Sequence, residues 1–332
     1  RMEGRDQQPP DSAYFTERVN EAAELRERII KNDSTDVYRL VNAEGDGIPG
    51  LVIERYGDFG VAWRMTPGLA AITPMVYPSV MKRFHLKGLY EKGPPREGYH
   101  PGMGEADAPV MGEAAPEPLV VREEGMRLNA RLAEGPRTGV YPDQRDNRRR
   151  LAPMMPGIRV LNTFSYTGAF SVSAALAGAA ETVSVDLSQR SLEWSRQNFD
   201  VNRIDPGPHL HVKADVFDYL NLAQRRGFSF HLIILDPPTF STSKKGMFRA
   251  RKDWPRLLGG ALPLLESNGR LAVSCNTREL TEPEMGRFLR TLSKETGRAM
   301  EMEEVSGLPL DFPTHPHLPA MDYLKFILVR FH

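Results

Sequence analysis

A single cysteine, Cys275, stands in the whole chain, so no intramolecular disulfide can form and nothing points to an oxidising compartment. A cytoplasmic location is the expectation. No apolar run approaches the ~20 residues that cross a bilayer; the nearest, AALAGAA before Glu181, is short and rich in alanine, so no membrane partner is expected. Charge of one sign is also missing. The 43 basic and 43 acidic residues cancel, so any footprint for a nucleic acid must be local. His315 and His317 in THPHLP lack cysteine or acidic partners at metal-ligand spacing, which makes them loop residues and leaves no metal expected. There is no GxGxxG cradle for a pyrophosphate either, which argues against a nicotinamide-dependent dehydrogenase.

What is present is ordinary globular composition, 40% apolar and 26% charged, over 332 residues, a length that favours two domains. Residues 1–13 are expected to be a frayed tail. Residues 14–31 space Phe15, Val19, Ala22, Ala23, Leu25, Ile29 and Ile30 on one helical stripe. Three short strands follow, Tyr38–Val41, Leu51–Tyr56 and Gly60–Met65, with EGDG and GD as turns. Residues 91–118, rich in Gly, Pro and Glu without periodicity, read as a long loop, and a hairpin is expected after it. This makes 14–120 a small α+β domain. From Gly157 the rhythm changes to apolar strands alternating with helices expected at 169–178, 188–202, 216–224 and 253–265. Five such strands, ending with GRLAVSC, predict a doubly wound, mainly parallel α/β sheet over 121–332, whose ligands bind at the carboxyl ends of the strands.

Those ends carry the chemistry. The first closes on VLNTFSYTGAF, where Asn162, Phe164, Ser165, Tyr166, Thr167 and Gly168 form a strand-to-helix turn. Gly168 lets backbone approach a ligand, and the new helix offers free N–H groups. Asp186 ends the second strand, about eighteen residues beyond Gly168, where a carboxylate can accept bonds from both hydroxyls of a ribose. Asp215 follows the third strand, placed to accept from an adenine amino group; Leu187 and Val216 stand beside the two acids. The plain alternative is that each acid only caps the next helix.

The fourth strand ends in DPPTF. Pro237 and Pro238 fix the turn, so that Asp236 faces the cleft and Phe240 can stack on or close over a flat base; a Pro-rich turn capped by Asp is the alternative. Cys275 ends the fifth strand on the same edge. A thiolate there can add to C6 of a pyrimidine and make C5 nucleophilic, while an unpaired cysteine can equally be simple core packing. Two basic stretches flank the cleft: Arg145, Arg148, Arg149 and Arg150 in YPDQRDNRRR, and Lys244, Lys245, Arg249, Arg251 and Lys252 around Phe248. They suit phosphates, or else solvated helix faces.

Taken together, NAEGDGIPGLVIERYGD, GVYPDQRDNRR, VLNTFSYTGAFSVSAALAGA, SVDLSQRSLEWSRQNFDVN, LDPPTFSTSK, VSCNTREL and the closing DYLKFILVRF resemble the ribosomal RNA large-subunit methyltransferase I group. The resemblance runs from about Tyr14 to the end and is weakest over 66–118. It implies a Rossmann-like class I fold, S-adenosyl-L-methionine as donor with S-adenosyl-L-homocysteine as product, and 5-methylcytosine formed in large-subunit rRNA. By motif it implies a donor site lined by Asn162 to Gly168, Asp186, Asp215 and Asp236, with Gln144 and Arg145 nearby, and Cys275 as nucleophile. Pro237, Pro238, Phe240 and the Lys244 to Arg251 stretch would meet the RNA, helped by the small domain. Group members usually begin with a PUA RNA-binding domain, for which the residues before Tyr14 leave no room. DPPTFSTSK, SVDLSQRSLEW and Asn276 also resemble a guanine-N7 methyltransferase domain that works without a thiol. That reading stays open, as does a binding protein that keeps the donor fold without turnover. A homodimer is the base-rate expectation for assembly.

Overall fold

Apolar residues three or four apart and apolar runs of five or six produce, respectively, one-sided helices and buried strands, and both kinds of pattern are realised here in two compact units. The computed structural model describes residues 10–31, 33–92, 108–135, 137–238 and 248–332, with the backbone of 242–243 and 246–247.

The first unit runs to Gly125 and adds Ala130–Thr138 and Leu310–Leu318. Helix α1 (Ser12–Ile29) is capped by Asp11, which accepts from Tyr14 N, so the order begins before the expected end of the tail at residue 13. Its stripe of Phe15, Val19, Ala22 and Ala23 is buried. Strands β1 (Val37–Asn42), β2 (Leu51–Tyr56) and β3 (Phe59–Arg64) form an antiparallel meander. Beyond them come helix α2 (Thr73–Arg83), strand β4 (Gly88–Lys92) and strand β5 (Met111–Gly112), none of which the sequence pattern predicts. β4 lies parallel to β3, completing a sheet in the order β1-β2-β3-β4-β5. The expected loop at 91–118 therefore contains strand residues at 91–92 and 111–112, while 93–107 lie outside the described residues.

Strands β6 (Leu119–Glu123) and β7 (Met126–Ala130) stand where the hairpin is expected, and the division between units first falls at the turn between them. In place of one boundary at 120/121, the chain is divided at several points. The segment 310–318 belongs with the first unit because its backbone is bonded there: Arg26 donates to the Asp311 carbonyl at 2.8 Å and Asn42 Nδ2 to the Pro313 carbonyl at 2.8 Å.

The second unit holds α3 (Arg145–Leu151), β8 (Arg159–Thr163), α4 (Ala169–Leu176), β9 (Glu181–Asp186), α5 (Gln189–Val201), β10 (His209–Lys213), α6 (Val216–Arg225) and β11 (Phe230–Leu235). After the short pair β12 (Thr242–Ser243) and β13 (Gly246–Met247) come α7 (Ala250–Ala261), β14 (Leu265–Cys275), α8 (Glu282–Thr296), β15 (Met300–Ser306) and β16 (Lys325–Phe331). The sheet order is β10-β9-β8-β11-β14-β16-β15. The first five are parallel; β16 slots antiparallel between β14 and β15. Successive strands run outward from β8 through β9 to β10, then resume on the other side at β11. The order thus reverses between β8 and β11, where doubly wound sheets place their ligand crevice. Apolar side chains pack both faces, one cluster around Trp254, Leu257 and Leu271, another around Val160, Phe170 and Leu328. α7 starts three residues before the expected 253 because Asp253 Oδ2 accepts from Arg249 N at 2.7 Å, holding the first turn ahead of Pro255.

Candidate active site

The turn after β8 is the most distorted backbone of the second unit. Phe164, Tyr166 and Gly168 all take positive φ, 54°, 49° and 75°, and two non-glycine residues there signal strain held by the surroundings. Asp186, at the end of β9, does the holding: its Oδ2 accepts from Tyr166 N and its Oδ1 from Ser188 N, both at 2.8 Å. Burial pushes its pKa up, against those N–H bonds and that of Leu187. The cap of α5 is Ser188, not Asp186, so the capping alternative does not apply to this acid.

Gly168 is needed for a reason other than ligand approach. A Cβ there would stand 2.0 Å from Ser195 Oγ on α5, so the glycine serves the packing of helix on helix as well as its positive φ. Thr167 donates to the Gly139 carbonyl at 2.7 Å. Ser165 is different: its Oγ is buried with no hydrogen-bond partner, an unanswered donor inside the turn. Asn162 is directed inward, giving its amide to Ser171 Oγ at 2.9 Å and so tying β8 to α4. Tyr166 packs against Tyr141 at 5.3 Å between ring centres.

At the end of β10, Asp215 does cap its helix, Oδ1 accepting from Phe217 N at 3.0 Å and Asp218 N at 3.3 Å. Val216 beside it is a core residue, 4% exposed, whereas Leu187 after Asp186 is 46% exposed.

Asp236 follows β11, next to β14, whose Val273 is in register with Leu235. Gln144 binds both strand ends: Nε2 donates to Ser274 Oγ at 2.7 Å and lies 3.3 Å from each Asp236 oxygen, while Oε1 accepts from Asn147 at 2.7 Å. Gln144 thus holds the DPP acid in place, and its amide is engaged there. Loss of solvent pushes the Asp236 pKa up to about 6, with Ser274 and Arg148 opposing and Asp143 adding to the rise. Pro237 is buried and Pro238 half-buried.

Cys275 ends β14, 2% exposed. Burial raises its pKa; the Thr277 N–H, Lys325 and Trp254 act to lower it, and Asp236 to raise it. Phe164 of the turn after β8 meets Phe248 at 6.1 Å, and Phe248 meets Trp254 at 6.2 Å, so a chain of aromatic rings joins that turn to α7. Trp254, Lys325, Ser274 and Asn147 escaped the sequence reading; Trp254 in KDWPR and Lys325 in YLKF carry no motif that marks them.

Most of the arginine run is not an open phosphate surface, although the Arg149 side chain is 58% exposed. Arg145 and Arg148 are 3% exposed, packed within α3, and Arg150 pairs with Glu304 at 2.5 Å. Burial of α3 against the sheet takes these side chains in, which charge counting cannot see. Arg249 is exposed, and Arg251 pairs with Glu284. Phe240, Lys244 and Lys245 lie outside the described residues.

The donor implied by these strand ends fits what is built: an acid at the end of β9, an acid at the end of β10, and a strained turn with an unpartnered Ser165 hydroxyl. Comparison with known proteins agrees. Residues 106–329 match the family described as S-adenosylmethionine-dependent methyltransferase. The chain is 35% identical to YwbD of Bacillus subtilis (strain 168), over 96% of this chain and 81% of that one. It is 33% identical to the ribosomal RNA large subunit methyltransferase I of Salmonella arizonae, over 97% and 80%. The crystal structure of SMU.776 complexed with SAH superposes with a TM-score of 0.89 at 30% identity, covering 98% of this chain and 83% of that one. The chain belongs to the S-adenosylmethionine-dependent methyltransferases, in the family of ribosomal RNA large subunit methyltransferase I.

Proposed function

We propose that this protein methylates C5 of a cytosine in large-subunit ribosomal RNA, with Cys275 as the attacking nucleophile. The observation that carries the reading is the juxtaposition of Cys275 and Asp236 on the neighbouring strand ends of β14 and β11. The rRNA substrate rests on the relatives named for it. When bound, S-adenosyl-L-methionine supplies an electrophilic methyl group and is left as S-adenosyl-L-homocysteine; the residues Phe164 to Gly168, Asp186 and Asp215 would hold it.

The chain's own groups handle the base. The Cys275 thiolate forms a bond to C6, and the electron pair of the C5=C6 bond becomes available at C5. Asp236, with a pKa near 6, carries a proton within reach of neutral pH, so it can donate to ring N3 while its other oxygen accepts from the exocyclic amine. That pairing offsets the charge gathering on the ring. After C5 is alkylated, its proton leaves to solvent base, the C–S bond breaks to regenerate the thiolate, and N3 returns its proton to Asp236. Phe248, packed against Phe164, gives the cleft an apolar wall.

The test is Cys275→Ala with under-methylated large-subunit rRNA and mass spectrometry of the nucleosides. Loss of essentially all transfer, with 5-methylcytidine as the wild-type product, is expected. Full activity with a methylated guanosine would establish instead the thiol-free attack of a ring nitrogen, a reading the deep burial of Cys275 favours. Donor binding with no transfer to any RNA would mark a non-catalytic binding protein.

A further inference from the structure

Trp254 on α7 is 1% exposed and shares its core cluster with Cys275. Its apolar face is accounted for by Phe248, which meets it edge-on at 84°. Its polar edge is not. The indole Nε1–H is buried with no hydrogen-bond partner, an arrangement native proteins rarely tolerate without a use. Trp254 and Cys275 pack in one core cluster, and the indole N–H favours the anionic form of the Cys275 sulfur without a hydrogen bond already formed to it. A neutral thiol is a poor acceptor, whereas a thiolate is a strong one.

A cation also acts on the same sulfur. Lys325 is the direct cross-strand partner of Cys275 in the antiparallel β14–β16 pair, and opposed residues of such a pair share a face of the sheet. Its ammonium is held by two carbonyls, Thr277 at 2.7 Å and Tyr323 at 3.0 Å. Neither is a carboxylate; Asp322 favours its charge while burial and Arg278 oppose it. The Thr277 N–H also points at the sulfur. Against these stand burial and the Asp236 carboxylate at the end of β11. From α8 the cluster receives Met285, Leu289 and Leu292, with Phe288 packed against it, all of them apolar.

We propose that the Trp254 indole N–H and the Lys325 ammonium form a preset anion hole for the Cys275 thiolate, making both of them positioning residues of the methyl transfer. This rests on the reading of Cys275 as the nucleophile. The hole is built in advance: the ring is locked by Phe248 and the ammonium by its two carbonyls, so little reorganises when the sulfur takes its charge. Expulsion of the thiol from the adduct benefits in the same way, because the leaving sulfur departs as the anion.

Cys275 is the only cysteine, so thiolate absorbance in the ultraviolet, taken as the difference from a Cys275→Ser protein, titrates this sulfur alone and needs no RNA. Trp254→Phe keeps a ring and removes the donor; the thiolate present at a fixed pH below the midpoint is expected to fall about tenfold, the size of one lost hydrogen bond to a charged acceptor. Lys325→Met should shift the titration the same way, and Lys325→Arg should restore most of it. Titration of Trp254→Phe and Lys325→Met together with the wild type overturns the inference. If the titrations move as expected but Cys275→Ala remains fully active, the anion hole stands and the nucleophile reading fails. If they do not move and Cys275→Ala is dead, only the anion hole fails.

Discussion

At the scale of single residues, the consequential one is Asp236, because its environment works against its charge. A carboxylic acid whose pKa is pushed up to about 6 binds its proton more tightly in the folded protein than in the unfolded chain. The sign follows: between about pH 4 and pH 6 the folded form holds more protons, so this group's contribution to stability declines as pH rises, and the deficit is complete above 6. Asp236→Asn removes the deficit while keeping the shape and an amide oxygen to accept from Gln144 or Ser274. Thermal melts should therefore show the variant more stable than the wild type at pH 8 and equal to it at pH 4. The same substitution should erase the limb near pH 6 from the kcat/KM profile, since that profile reports ionisations of the free enzyme. An unchanged limb would remove Asp236 from the chemistry. Gain in stability on losing a functional group is the pattern expected where a site is built against the fold's own preference.

At the scale of elements, Asp215 separates two roles that coincide in one side chain. It caps α6 through two N–H groups, and it stands at a strand end where adenine recognition is expected. Asp215→Ala loses both and should cost about 1 kcal/mol of stability. Asp215→Ser keeps a capping oxygen but shortens the reach, so its melting temperature should stay near the wild type while affinity for S-adenosyl-L-homocysteine, measured by calorimetry, drops roughly tenfold. Equal affinities would leave Asp215 as a cap alone. The strands of the second unit were legible because parallel strands buried on both faces read as continuous apolar runs, and the acids were legible because they end those runs. Helix α2 was not, since Pro74 and Pro78 lie within it; Pro78 cannot supply the N–H that the Pro74 carbonyl would accept, yet the helix is kept by packing Val76, Tyr77 and Val80 into the core. Lys325 stayed hidden for a topological reason. Only the insertion of β16 beside β14 brings it opposite Cys275. Gln144 was legible as a site residue, but its bond to Ser274 depends on where α3 lands, which no local pattern encodes.

At the scale of the whole chain, the decisive feature is that sequence order and spatial order part company near the carboxyl end. Leu310–Leu318 leaves the second unit and joins the first, where the Arg26 guanidinium organises its seat. Arg26 pairs with both oxygens of Asp46 at 2.6 and 2.7 Å and donates to the carbonyls of Arg39 and Asp311. The Arg39 N–H returns a bond to Asp311 Oδ2 at 3.0 Å. Gly45 allows the Pro313 carbonyl to come close, since a Cβ there would lie 1.9 Å from that oxygen. Side chains of the pair are only 1% and 4% exposed, so the attraction is set against a large desolvation cost and the pair gives position more than net stability. Breaking it is another matter. Asp46→Ala leaves the guanidinium buried without its counter-charge, and denaturant unfolding should show a loss of about 3–5 kcal/mol. Removing Arg26 as well should cost clearly less than the sum of the two single changes, because the second change removes the stranded charge that made the first expensive. Folded Asp46→Ala protein should still bind S-adenosyl-L-homocysteine with wild-type affinity, since every donor-site residue lies in the second unit. Single changes that simply add would mean that Arg26 and Asp46 act separately, with Arg26 seating the 310–318 segment through its own bond to the Asp311 carbonyl.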